Sequence, residues 1–194
     1  MPNVLVHLMP AQLPPISHRV AVLLVCTANI CRSPMAEAVL RKTLIARGIR
    51  ADIDSAGTHD YGAGMPPYPT AVSIAKDHGY DITRQVGRRI RLNDFRYFDL
   101  IAGLDARTVA RLQRLAPPEA RTKVVALLDY SAEFRGLDVE DPYGRGVGAF
   151  AEAFERIESG CAGLARAIER QLAHGRAAPR AGRAFDSIPS PRAA

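Results

Sequence analysis

Cysteine is scarce in this sequence, which contains three cysteines among 194 residues. A small, odd number of cysteines excludes a disulfide framework as the basis of the fold and is typical of proteins in a reducing cytoplasm. Stability must then come from a packed core, and a content of 47% hydrophobic and 24% charged residues is that of an ordinary globular protein. We therefore expect a cytoplasmic protein of single-domain size.

The sequence also lacks a long apolar segment. The apolar run at 20–25 is too short to span a bilayer. Residues 1–18 contain no lysine or arginine, so the basic start of a signal peptide is missing. From these two absences we expect no membrane association, while export without a signal peptide stays open.

Lysine is rare as well, with three lysines against 23 arginines. The formal net charge is +6, of which residues 174–194 contribute three, from four arginines and one aspartate. The remaining body is mildly basic, which suits an anionic substrate such as a phosphate ester. Nucleic-acid binding would rest on net charge alone, so no nucleic-acid partner is expected.

Apolar runs alternate with helical patterns along the chain, as in βαβ units. The pattern predicts strands at 20–25, 51–55, 99–103 and 123–128, and helices at 34–47, 70–78, 106–115 and 148–173. We predict an α/β fold with one domain, in which a four-stranded parallel sheet carries helices on both faces. The ligand site of such a sheet lies at the carboxyl ends of its strands.

Both ends of the chain are predicted to be flexible, because neither has a periodic pattern. The predicted organisation is an N-terminal extension at 1–18, a domain at 19–174 and a tail rich in proline, alanine and arginine at 175–194. Three residues mark element ends: Pro34 as a first helical position, Gly48 as a helix C-terminal cap and Asp105 as a helix N-terminal cap.

The segment VCTANICRSP at 25–34 leaves the first predicted strand and enters the first helix. A loop before a helix N-terminus binds anions through its backbone N–H groups, and the same field favours the thiolate form of Cys26. Arg32 adds a planar fork that can take two oxygens of one phosphate. A thiolate and an arginine spaced as Cys-x5-Arg are the parts of a cysteine-dependent phosphatase. The predicted phosphate-binding residues are Thr27, Ala28, Asn29, Ile30, Cys31, Arg32 and Ser33.

The loop resembles that of the low-molecular-weight protein tyrosine phosphatases, which reads approximately V-C-x-G-N-I-C-R-S-P. This chain matches it except that Ala28 replaces the glycine. The resemblance extends over 20–164 and includes SAGT at 55–58, DF at 94–95, FDLI at 98–101, DPYG at 141–144 and GCAGL at 160–164. It implies that Cys26 is the nucleophile, Arg32 the phosphate clamp, Ser33 a hydroxyl donor to the Cys26 thiolate and Asn29 the residue that fixes the loop shape.

A departing phenolate needs a proton, so an acid must accompany the thiolate. The resemblance assigns this role to Asp141, which would first act as general acid and then as general base on water. It also places Tyr61 and Tyr143 in the walls of a deep pocket that favours phosphotyrosine over the shorter phosphoserine. The implied partner is a tyrosine-phosphorylated protein or peptide, with a cognate tyrosine kinase as a further candidate.

The resemblance gives Cys31 a redox role, since a second loop cysteine can form a reversible disulfide with the nucleophile. The other interpretation is a small buried residue. Metal binding is not expected, because Cys161 lies far along the chain and the five histidines lack ligand spacing. We expect no cofactor, a monomer and, from composition and loop sequences, a bacterial origin.

Three departures from the family pattern stand out. Ala28 would strain the loop if that position required a positive φ. Residues 67–70 read Pro-Tyr-Pro-Thr where the family often has a charged pair, and a family histidine near Gln85 is missing.

Two alternatives to the phosphatase remain at this point. An arsenate reductase shares the Cys-x5-Arg loop but needs further thiols, and only Cys161 is left over. A catalytically silent phosphate-binding module would not need Asp141.

Overall fold

A computed structural model of the protein describes Leu13 and residues 19–177. The two predicted flexible ends, 1–18 and 175–194, lie outside the described residues except for Leu13 and for the backbone of 175–177, which is helical. The domain limits at 19–174 stay a prediction. In this described part of the chain, no helix combines the length and the apolar character that crossing a membrane requires.

The sheet has four strands, β1 (Val20–Cys26), β2 (Ala51–Gly57), β3 (Leu100–Gly103) and β4 (Val124–Ala126). Their order is β2-β1-β3-β4, and every neighbouring pair is parallel. The predicted four-stranded parallel sheet is therefore confirmed. Strand β1 is buried along its whole length because it lies between β2 and β3. Its carboxyl end lies in the interior of the sheet edge at which the parallel strands end.

Five α-helices accompany the sheet: α1 (Arg32–Ala46), α2 (Pro69–Asp77), α3 (Asp94–Tyr97), α4 (Ala106–Leu115) and α5 (Val147–Ala177). Two short 3-10 helices, Pro118–Lys123 and Leu127–Tyr130, flank β4. Alternate residues of β1 pack into two cores, as the pleat of a strand requires. One core joins Val22 and Leu24 to α1, α2 and α5, and the other joins Leu23 to α4 and the α3 region. Helices thus cover both faces of the sheet.

The strand predicted at 123–128 is too long. β4 ends at Ala126, and a 3-10 turn follows in which Leu127 and Leu128 are buried. These two leucines pack on α5 at Gly160, where an added Cβ would lie 2.8 Å from Leu127 Cγ. A short apolar run does not distinguish a buried strand from a buried turn.

Helix α1 begins at Arg32, two positions before the predicted Pro34. Proline is tolerated there because N–H groups in the first turn have no acceptor within the helix. The other two markers are confirmed: Asp105 accepts a hydrogen bond of 2.6 Å from Thr108 N–H, and Gly48 follows α1 with a φ of 66°. The four-residue helix α3 was not predicted, because it is too short to show a helical period.

Candidate active site

The predicted phosphate loop connects the carboxyl end of β1 to the N-terminus of α1 at the middle of the sheet edge. Cys26 is the last residue of β1, and Arg32 is the first of α1. The loop packs tightly on two glycines, since an added Cβ at Gly62 would lie 2.3 Å from the Ala28 carbonyl oxygen and one at Gly57 2.8 Å from that of Thr27. The backbone at these two glycines therefore supports the phosphate loop in its conformation.

The Cys26 sulfur has two hydrogen-bond partners. Its Sγ is 3.0 Å from Ser33 Oγ, and the backbone N–H of Asn29 donates to it over 3.3 Å. The structure thus brings the Ser33 hydroxyl next to Cys26, where the resemblance expects it.

Asn29 holds the loop in its shape. Its φ is 59°, the single positive value among the described non-glycine residues, and asparagine is one of the few side chains that tolerates it. Its Nδ2 donates to Ser33 Oγ and to Ser55 Oγ, both at 2.9 Å, and its Oδ1 accepts from Arg88 N–H at 2.9 Å. Because Ala28 has no positive φ, its replacement of the family glycine strains nothing.

A buried carboxylate that was not predicted from the sequence anchors this arrangement. Ser55 Oγ donates to Glu37 Oε2 over 2.7 Å, and Arg41 donates to Glu37 Oε1 over 2.9 Å. Glu37 is buried on α1. A chain of hydrogen bonds therefore runs from Glu37 through Ser55 and Asn29 to the Ser33 hydroxyl beside Cys26.

Arg32 is clamped by two carboxylates and a carbonyl group. Its Nη1 donates to Asp105 Oδ2 at 2.5 Å and to the Val139 carbonyl at 2.9 Å, and its Nη2 donates to Asp141 Oδ2 at 2.9 Å. Burial disfavours the charged guanidinium, but Cys26, Asp141 and Asp105 outweigh burial and raise the pKa of Arg32. Arg32 stays a cation.

One donor of Arg32 has no partner. Its Nε is buried without a hydrogen-bond acceptor, although buried polar groups are rarely left unsatisfied. A tetrahedral oxyanion at the loop would supply the missing acceptor.

A cavity of about 360 Å³ opens over the loop. It is lined by Cys26, Thr27, Ala28, Ile30, Cys31, Arg32, Tyr61, Met65, Asp141 and Tyr143. The structure therefore brings Cys26, Arg32 and Asp141 to one cavity, together with both predicted aromatic walls; Asn29 and Ser33 support the loop without lining the cavity. Met65 was not predicted.

The two aromatic walls are exposed and held by other rings. Tyr61 is 69% exposed and stacks on His59 with ring centroids 5.0 Å apart, and Tyr143 is 60% exposed and meets the edge of Tyr68 at 5.3 Å. Tyr68 also stacks on Phe150. The departure at 67–70 thus puts an aromatic support behind Tyr143 where the family often has a charged pair.

Gln85 stands where a family histidine is missing. Its Nε2 donates to the Pro34 carbonyl over 3.1 Å, so it ties its loop to the first turn of α1.

The second loop cysteine is a poor nucleophile. Burial, followed by the neighbouring Cys26 and Asp141, raises the pKa of the Cys31 thiol to about 12. It is therefore protonated at neutral pH, and Cys26 is the cysteine suited to attack. Cys161 is fully buried in α5, where burial raises the pKa of its thiol.

Asn29→Ala is expected to lower kcat/KM about 10- to 100-fold, because it removes the three side-chain hydrogen bonds that tie the loop to Ser33, Ser55 and the Arg88 N–H group. Steady-state kinetics with p-nitrophenyl phosphate measures the loss. Ala28→Gly is the control, and its activity should stay within about threefold of the wild type. Equal losses in both variants would contradict the anchoring role of Asn29.

Comparison with known proteins finds similar sequences over most of this chain. Residues 21–174 match the family described as low molecular weight phosphotyrosine protein phosphatase. The low molecular weight protein-tyrosine-phosphatase of Streptomyces coelicolor is 40% identical over 159 residues, which cover 79% of this chain and 96% of that protein. The low molecular weight phosphotyrosine protein phosphatase 1 of Drosophila melanogaster is 37% identical over 143 residues, which cover 73% of this chain and 92% of that protein.

Solved structures give the same picture. The protein tyrosine phosphatase of Entamoeba histolytica, crystallised with Hepes in its active site, superimposes with a TM-score of 0.75 at 29% identity. The match covers 78% of this chain and 97% of that one. The fold is therefore that of a protein tyrosine phosphatase of known structure.

Proposed function

Because the chain belongs to the low molecular weight phosphotyrosine protein phosphatase family, a family of hydrolases, we propose that Cys26, Arg32 and Asp141 carry out phosphotyrosine hydrolysis here. The observation that supports these roles most strongly is that a sulfur, a guanidinium and a carboxylate line one cavity at the end of β1. Without Asp141 the same loop would have no group to protonate the departing phenolate.

Phosphate binding begins with the loop and Arg32. N–H groups of a loop that enters a helix N-terminus, together with the Arg32 guanidinium, are suited to hold the equatorial oxygens of a phosphate bound at Cys26. In the free protein Arg32 Nη2 donates to Asp141. A phosphate that takes this donor frees the Asp141 carboxyl group to turn toward the ester oxygen.

In the first step the Cys26 thiolate attacks phosphorus, so that an S–P bond forms and the P–O bond to the phenol breaks. Protonated Asp141 gives its proton to the departing oxygen, and the tyrosine leaves as a neutral phenol. Asp105 and Val139 keep Arg32 in place throughout, since they hold the nitrogen that faces away from Asp141.

In the second step water attacks the cysteinyl phosphate. Asp141, now a carboxylate, takes a proton from the water, the S–P bond breaks, and inorganic phosphate and the Cys26 thiolate are released. The Ser33 hydroxyl and the Asn29 N–H support this departure, because both lie within hydrogen-bond distance of the sulfur.

The walls of the cavity select the substrate. Tyr61 and Tyr143 offer ring faces and edges to a phenyl ring, and ring contacts contribute about 0.5–1.5 kcal/mol beyond burial. A phosphoserine is too short to use them while its phosphate lies in the loop. We therefore propose a tyrosine-phosphorylated protein as substrate, which a tyrosine kinase must supply.

Cys31 also belongs to this proposal. When a peroxide oxidises the Cys26 thiolate to a sulfenic acid, the Cys31 sulfur attacks the Cys26 sulfur, a disulfide forms and water leaves, so Cys26 is protected from further oxidation. The two residues line the same cavity, but the high pKa of Cys31 makes the capture slow at neutral pH. Cytoplasmic location, bacterial origin and a monomeric state remain proposals of the same kind.

The proposed function is tested on the wild-type protein in reducing buffer with EDTA. A phosphotyrosine peptide should be hydrolysed at least about 100-fold faster, as kcat/KM, than the same peptide carrying phosphoserine. A second experiment tests arsenate reduction by incubating the protein with arsenate and a thiol reductant. No arsenite should form, because Cys161 is buried and cannot pass on a disulfide formed at the phosphate loop. Phosphate binding without turnover would instead identify a silent module.

A further inference from the structure

Four arginines lie close together in the segment 84–91, and they differ in how they are used. Arg88 is structural: it forms ion pairs with Asp54 at 3.0 Å and with Asp94 at 2.9 Å. Arg89 and Arg91 have exposed side chains. The two nearest buried acids are thus already occupied by Arg88.

This segment lies directly behind one wall of the cavity. Gly87 N–H donates to the Met65 carbonyl and Gly64 N–H donates to the Gly87 carbonyl, both over 2.8 Å, and Met65 lines the cavity. The next residue, Arg88, donates its N–H to Asn29 in the phosphate loop. The exposed arginines therefore begin two residues from the backbone that supports the wall.

The direction of the side chains follows from the backbone. Arg89 forms a β-bridge with Gly57, and Ile90 N–H donates to the Gly57 carbonyl over 2.9 Å. Side chains of extended residues alternate between two sides. Arg88 and Ile90 point inward, to the ion pairs and to the core, so Arg89 and Arg91 point outward together.

The outward-pointing side chains carry positive charge. Neither Arg89 nor Arg91 forms an ion pair with another residue that the structure describes. We call the side chains of Arg89 and Arg91 the arginine rim. Its charge complements a peptide that carries carboxylates.

We propose that the arginine rim binds acidic side chains next to the phosphotyrosine, so that the enzyme prefers phosphotyrosine in an acidic sequence. The proposal rests on the proposed function and names the substrate class more narrowly. An extended peptide advances about 3.3 Å per residue, so a long arginine side chain beside the wall meets residues a few positions from the phosphotyrosine. Such exposed charge pairs are individually weak and are screened by salt.

The experiment compares three peptides that differ only in the residues flanking phosphotyrosine, which are Glu, Gln or Lys. Wild-type protein should show a kcat/KM about fivefold higher for the Glu peptide than for the Lys peptide at low salt, and the ratio should fall toward one at high salt. In Arg89→Gln/Arg91→Gln the ratio should approach one at low salt. Hydrolysis of p-nitrophenyl phosphate, which is too small to reach the rim, measures the active enzyme in each sample.

The matched control is Arg166→Gln/Arg170→Gln, which removes two exposed arginines from α5. Arg166 lies 19 residues from the start of this helix, or about 28 Å along its axis. The Glu/Lys ratio should keep its wild-type value in this control. If the ratio of kcat/KM between the Glu and Lys peptides falls to one in both double variants, the preference depends only on the net charge of the protein, and the proposed arginine rim is overturned.

Failure of the rim and failure of the proposed function give different results. A wild type that hydrolyses p-nitrophenyl phosphate but treats the three peptides alike overturns the rim alone. A wild type with no turnover overturns the proposed function. Fluorescence anisotropy with the same peptides, carrying a fluorescent label, then measures their affinities, and equal affinities for the Glu and Lys peptides would overturn the arginine rim as well. Equal competition by a single-stranded oligonucleotide of the same charge would mark a general polyanion surface and also overturn the rim.

Discussion

Cys26→Ser is expected to lower the hydrolysis of phosphotyrosine peptide by at least about 10⁴-fold. A serine hydroxyl is hardly ionised at neutral pH, and the two hydrogen-bond partners of the sulfur, Ser33 Oγ and Asn29 N–H, cannot make an alkoxide of it. Phosphate binding should survive, because Arg32 and the loop N–H groups are unchanged. Steady-state kinetics and isothermal titration with the phosphopeptide measure the two properties separately.

Cys161→Ala is the matched control for the loss of a thiol. Its side chain is buried in α5, and its sulfur lies 3.6 Å from the Ala36 carbonyl, so its removal should cost some stability but leave kcat within about threefold. Circular dichroism confirms that both variants are folded. Residual turnover above 1% of wild type in Cys26→Ser would place the nucleophile elsewhere. A dead Cys161→Ala protein that is folded would favour a thiol relay, as in arsenate reduction.

Those parts of the site that are local in sequence were predictable. Strand, loop and helix follow one another between Val20 and Ala46, so the position of Cys26 and Arg32 at the sheet edge follows from the order of elements alone. Asp141 is 109 residues from Arg32. Its role came from the family resemblance, because no periodicity or spacing relates residues so far apart.

Contacts that depend on strand register were missed. Ser55 meets Asn29 because β1 and β2 pair with Leu24 opposite Ser55, two residues before Cys26. Asp105 reaches Arg32 because it follows β3, which lies beside β1 on the other side. Sequence reasoning identified Asp105 as a helix cap and stopped there, since its second carboxylate oxygen has no local partner. For Glu37, the single sequence signal of a buried role was its position among the core-packing residues of the predicted first helix.

Asp141→Asn is expected to lower kcat/KM for a phosphotyrosine peptide by about 10²- to 10⁴-fold. Asparagine keeps the size of the side chain and an oxygen for the Arg32 contact, but it has no proton to give to the departing phenolate. The loss in kcat/KM should be smaller with p-nitrophenyl phosphate, because nitrophenolate leaves readily without protonation. Because kcat/KM covers only the steps up to departure of the phenol, comparing it for the two substrates separates proton donation from the later hydrolysis of the cysteinyl phosphate, in which Asp141 acts as a base.

The dependence of activity on pH tests whether Asp141 is the general acid. A general acid must be protonated when the ester bond breaks, so wild-type kcat/KM for the phosphotyrosine peptide should fall as pH rises through the ionisation of that acid, whereas Asp141→Asn should lack this fall. Glu140→Gln is the neighbouring control: Glu140 is exposed and pairs with Arg145 at 3.6 Å, so its loss should leave the profile unchanged. If Glu140→Gln removes the fall and Asp141→Asn keeps it, the acid is Glu140. If both variants keep it, the proton comes from neither residue, and the loop acts on a leaving group that departs unassisted.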